Sequence, residues 1–86
     1  MILAIFENII NHKIRNITAD ELLKYASQFQ ISISKPQAQK IAAYLRGKQV
    51  NIFIDSERTA LIKEIARITG PETAREVNKL FVEFTK

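Results

Sequence analysis

Side chains able to do acid–base or nucleophilic chemistry are few and scattered along this chain of 86 residues. His12 is the one histidine, and a single imidazole with no acids grouped around it makes neither a metal site nor an acid–base pair. Placed near the C-terminal end of a first helix, its protonated form suits the negative end of the helix dipole. Asp20 and Glu21 are adjacent, but neighbours on a helix point about 100° apart, so they are better explained as helix-start residues than as paired carboxylates. The Ser and Thr residues mostly fall at expected helix caps, which leaves no credible nucleophile. There is no cysteine, so disulfides, thiolate nucleophiles and Cys-ligated zinc are excluded together. The expectation is a protein that is not an enzyme, with no cofactor, no metal and no small-molecule substrate.

Charge is the next feature that could serve a function. Residues 1–54 carry Lys13, Arg15, Lys24, Lys35, Lys40, Arg46 and Lys48 against Glu7, Asp20 and Glu21. Residues 55–86 carry six of each sign, and no acid appears between Glu21 and Asp55. The first half is therefore basic and the second neutral, an asymmetry that suits an anionic partner. Four phosphate contacts from Lys35, Lys40, Arg46 and Lys48 would give a log–log salt slope of roughly −3.6 on duplex DNA. The two tyrosines, Tyr25 and Tyr44, are too few for a base-stacking platform.

The elements that must position these residues are helices. A domain of this size buries roughly 60–65% of its unfolded surface, enough for one modest core. The pattern predicts a single all-α domain over 1–86, a compact bundle of about five short helices. Helix 1 is expected from about Ile2 to His12. At about 100° per residue, Ile2, Leu3, Ile5, Phe6, Ile9, Ile10 and Ile14 cover about half its circumference, leaving Glu7, Asn8, Asn11 and Arg15 opposite. An amphipathic helix needs a stripe of only a little over 100°. The surplus either lies deep in the bundle or is offered to a partner.

Thr18 and Glu21 form a T-x-x-E capping box that opens helix 2, whose apolar face is Leu22, Tyr25, Ala26 and Phe29. Ile31 and Ile33 alternate with serines in a brief extended link. Ser34 and Gln37 make a second capping box, with Pro36 in the first turn of helix 3. Ala38, Ile41, Ala42 and Leu45 face inward, and Gly47 is the expected left-handed stop. Val50–Ile54 reads as an apolar loop or turn. Asp55 or Ser56 is expected to cap helix 4, with Leu61, Ile62, Ile65 and Ile68 inward as far as Thr69. Gly70-Pro71 then breaks the chain, and helix 5 runs to about Phe84 with Ala74, Val77, Leu80, Phe81 and Phe84 on one stripe. Helices 4 and 5 should be neighbours, and helices 5 and 1 should close over a hairpin of helices 2 and 3.

That hairpin, residues 18–46, is helix-turn-helix-like. In such a motif a small residue lets the helices cross closely, and the second helix enters the major groove. Ala26 fits the small position, with Ile31 and Ala38 at packing positions. Gln30 stands where the turn glycine usually is, and the connection is about two residues longer than the motif's turn. Ala43, set among Gln39, Lys40 and Arg46, would allow a close approach to a groove.

The segments ITADELLKYASQ, AYLRGKQVNIF and EVNKLFVEFTK resemble, in that order, the YqfT-like family of bacilli, small proteins of unknown function. The resemblance runs from about Ile10 to Lys86. It implies a compact cytoplasmic protein of spore-forming bacteria and brings no activity, ligand or functional residue.

Two surfaces follow. Ile2, Ile5, Phe6 and Ile9 form a candidate surface for self-association or a protein partner. Lys35, Gln39, Lys40, Arg46 and Lys48 form a candidate nucleic-acid surface. The apolar N-terminus lacks a basic leader region and is far shorter than the ~20 residues that span a bilayer, so a cytoplasmic, non-membrane protein is expected.

Overall fold

The structure, a computed structural model, describes the backbone of residues 2–85 and the side chains of residues 5–83. Five helices follow one another: α1 (Ile2–Arg15), α2 (Ala19–Gln28), α3 (Lys35–Lys48), α4 (Asp55–Thr69) and α5 (Pro71–Thr85). No strand occurs among the described residues, so the fold is an all-α bundle. Its radius of gyration is 12.2 Å, close to the ~12 Å expected of a folded chain this long.

Both predicted capping boxes form. The Thr18 hydroxyl accepts from the Glu21 N–H at 3.1 Å, and the Glu21 carboxylate accepts from the Thr18 N–H at 3.0 Å. Ser34 and Gln37 repeat the arrangement at 3.3 and 2.8 Å. Each box satisfies two backbone donors that a helix start leaves free. Between them, α2 ends in a Schellman motif. Gln30 adopts a left-handed conformation at φ 59°, its N–H donates to the Ser27 carbonyl, and the Ile31 N–H donates to that of Ala26. The link from Ile31 to Ser34 is extended, as expected.

Other helix ends differ from expectation. α1 continues to Arg15, where the Asn16 side-chain amide donates to the His12 carbonyl at 2.8 Å and closes the last turn. Gly47 lies inside α3, and the left-handed residue is Gln49 at φ 50°. A non-glycine residue there costs roughly 1–2 kcal/mol. The turn it makes sends Val50 and Ile52 into the core, where they are 4% and 0% exposed, and burying such side chains gains roughly 1.5–3 kcal/mol each. Burial wins. Neither Asp55 nor Ser56 caps α4; its N-cap is Ile54, with no side-chain bond. Glu57 instead reaches back to accept from the Asn51 N–H at 2.9 Å, and Arg58 donates to the Ile52 carbonyl at 3.0 Å.

The core gathers Ile17, Ile41, Leu45, Val50, Ile52, Leu61, Ile65 and Ala74. α2 packs on α3, α3 on α4, α4 on α5, and α1 on α3. As expected, α4 and α5 are neighbours, with the chain reversing at Gly70 (φ 100°). α5 does not close over the hairpin of α2 and α3: among the described residues no Cα of α5 comes within 8 Å of a Cα of α2. Ala74 of α5 belongs to the core, and Val77 and Phe81 pack against it while remaining only partly buried. Phe84 lies outside the described side chains.

Candidate functional site

α1 is fastened along a narrow edge. Ile10 and Ile14 pack against the core, and between them lies Asn11, only 3% exposed. Its amide donates to Asn51 Oδ1 at 2.9 Å, and its carbonyl oxygen accepts from the Ile52 N–H at 3.1 Å. Asn51 Oδ1 also accepts from the Phe53 N–H at 3.0 Å, and Arg15 donates to the Val50 carbonyl at 3.4 Å. The loop 49–54 is thus held by side chains of α1 on one side and α4 on the other. The expectation that Asn11 faces away from the body is corrected, because the buried Ile52 N–H of this loop donates its hydrogen bond to the Asn11 side chain.

Turning Asn11 inward turns the apolar arc outward. Ile5 is 62% exposed, Phe6 48% and Ile9 62%. The body covers the Ile10–Ile14 edge of that arc, and for Ile5, Phe6 and Ile9 the deep-core alternative is excluded. Ile2 and Leu3 lie in α1, but their side chains are outside those described.

The exposed arc runs into a groove. Between α2 and α5 lies an open cavity of about 380 Å³ whose surface is almost wholly apolar. Its floor is Ile41 and Leu45 of α3 with Leu61 and Ile65 of α4. α2 contributes Leu22, Tyr25 and Phe29 to one wall, and α5 contributes Val77, Leu80 and Phe81 to the other. Ile10, Lys13, Ile14 and Ile17 close one end, and Ile31 and Ile33 also line it. Tyr25 and Phe29, expected to face the core, are 39% and 48% exposed at the rim. Sequence periodicity identified both apolar faces, but the gap between them depends on where α5 stands.

At the mouth, Lys13 Nζ bonds Glu21 Oε2 at 2.6 Å. The Glu21 carboxyl is held below its usual range, first by the Lys13 hydrogen bond and then by the Thr18 N–H. The Lys13 ammonium is correspondingly raised, chiefly by the hydrogen bond to Glu21.

The basic residues of α3 do not form one face. Lys35, Gln39, Lys40, Arg46 and Lys48 are all exposed. At about 100° per residue, Lys35, Gln39 and Arg46 lie within one narrow arc, Lys40 is set off to the far side of Ala43, and Lys48 points well away. Lys48 lies near α4: its charge contributes to holding the Glu64 carboxyl below the usual range, after the larger effect of the hydrogen bond from Arg67. Lys35, Lys40 and Arg46 make no ion pair among the described residues. The α2–α3 connection spans residues 29–34, longer than the turn of a DNA-reading motif, while Gln30 takes the left-handed conformation in place of the turn glycine.

Elsewhere, His12 is exposed on the last turn of α1. Among the described residues no group of three or more His, Asp or Glu could hold a metal ion, and no helix is long and apolar enough to cross a membrane.

The chain is 48% identical over 81 residues to the uncharacterized protein YqfT of Bacillus subtilis (strain 168), an alignment covering 94% of this chain and 96% of that protein. No solved structure matches it. A family model described as "Protein of unknown function (DUF2624)" matches residues 1–85, and the chain belongs to that family.

Proposed function

We propose that this protein is a non-enzymatic interaction module that docks a protein partner through α1 and the adjoining groove. The supporting observation is a continuous apolar surface: the exposed side chains of Ile5, Phe6 and Ile9 lead through Ile10 into a cavity of about 380 Å³. Monomeric soluble proteins rarely expose an apolar patch beyond a few hundred Å² without a use for it. The reading is tested by affinity purification of the full chain from its native host, with and without nuclease, beside an Ile5→Glu/Ile9→Glu variant. The expected result is protein captured by the native chain, insensitive to nuclease, and lost with the variant. Capture unchanged by the variant would exclude this surface.

A second reading, weak nucleic-acid binding through α3, draws on Lys35, Lys40 and Arg46, which are exposed and make no ion pair among the described residues. It expects binding to duplex DNA at about 50 mM salt, where phosphate contacts are strong, abolished by Lys40→Glu with Arg46→Glu. No binding by the native chain under those conditions ends it.

A further inference from the structure

We infer that the occupant of the groove is helix α1 of a second copy of this chain, exchanged reciprocally in a two-fold dimer; this rests on reading these surfaces as docking surfaces. Ile2, Ile5, Phe6 and Ile9 stand at i, i+3, i+4 and i+7, the register in which a helix lays its apolar side into a groove. The three whose side chains are described are about half exposed or more. The groove is complementary. Among the described residues no Cα of α2 comes within 8 Å of a Cα of α5, and the floor between them is four aliphatic side chains. A cleft built for a small molecule carries a few polar groups aimed inward to orient it. This one is lined almost entirely by carbon, which suits a row of Ile and Phe side chains.

The placement of the two surfaces suits a two-fold pair. Phe6 lies one turn before Ile10, and Ile9 one turn before Lys13; Ile10 and Lys13 both line the groove. Stripe and groove therefore open on the same side of the molecule. A two-fold rotation that seats one stripe seats the other at the same time, giving a closed dimer instead of an open filament.

The area is sufficient. Ile5, Phe6, Ile9, Tyr25 and Phe29 expose on the order of 500 Å², against roughly 800 Å² per partner in a standard interface that is about two-thirds apolar in homodimers. Charge does not oppose this: the one acid of α1, Glu7, lies away from the stripe.

Sedimentation equilibrium of the full chain at about 50 μM is expected to give twice the monomer mass of 9.9 kDa. Ile5→Glu/Ile9→Glu on the stripe, and Tyr25→Lys/Phe29→Lys on the wall, should each weaken association at least ~100-fold with helical circular dichroism unchanged. If the wall variant loses helicity, Leu80→Lys on the opposite wall takes its place. Mixing stripe and wall variants should restore a dimer, since one intact stripe then meets one intact groove. A native chain of 9.9 kDa, or a mixture that stays monomeric, overturns the proposal. A monomeric native chain that still captures host protein through Ile5 and Ile9 removes only the second copy as occupant. A monomeric chain whose capture ignores that substitution removes the docking surface as well.

Discussion

Asn11 joins two parts of the chain that are forty residues apart in sequence. It is nearly inaccessible, and it satisfies one donor on the Ile52 backbone and one acceptor on Asn51. Asn11→Ala leaves the buried Ile52 N–H without a partner, a loss of about 1–3 kcal/mol expected as a lower urea midpoint at unchanged m-value. Asn11→Asp keeps the acceptor for Ile52 but sets a carboxylate against Asn51 Oδ1, and it should destabilise as well. Glu21 works through charge. Its folded-state carboxyl lies below its unfolded value because of Lys13 and the Thr18 N–H, so its contribution is complete above the unfolded carboxylate range and is lost as pH falls through the folded value. Glu21→Gln can still complete the capping box. It should flatten this part of the stability–pH curve below about pH 4.5, as read from urea midpoints across the range.

At the scale of elements, the two left-handed glutamines stand out. Gln30 and Gln49 occupy conformations that glycine adopts without a Cβ clash, whereas Gly47 sits in a helix with open space where a Cβ would go. Gln30→Gly should stabilise by up to ~1 kcal/mol, and Gly47→Ala by roughly 0.5–1 kcal/mol, both measured by chemical denaturation. The same residues mark what was legible in the sequence. Thr18–Glu21 and Ser34–Gln37 could be read because a capping box is contained within four residues. Gly47 misled because residue type suggested a stop, while the burial of Val50 and Ile52 set the actual one two residues later. Asn11 was illegible from local pattern: on α1 it looked like any polar residue, and its partners lie in a loop past α3. Periodicity identified the apolar side chains of α1, α2 and α5 but not which of them the body would leave uncovered.

For the whole molecule, the backbones form an open series, α1 on α3 beside α2–α3–α4–α5, in which, among the described residues, the Cα atoms of α2 and α5 stay more than 8 Å apart. The groove follows from that topology. The attachment of α1 has a further consequence. Its described side chains reach the rest through Ile10 and Ile14, the Asn11–Asn51 amide pair, Lys13 and Arg15, all in its C-terminal half, so the first helix is expected to lift away while the other four keep their shared interior. The Ile52 amide proton, bonded to a side chain of that helix and to no backbone carbonyl, then acts as a built-in gauge. In native-state hydrogen exchange it should leave earlier than the protons of α3 and α4, at a rate that follows release of the arm and not melting of the whole. Anything that clasps the arm should slow that one proton first, before it registers in the thermal midpoint.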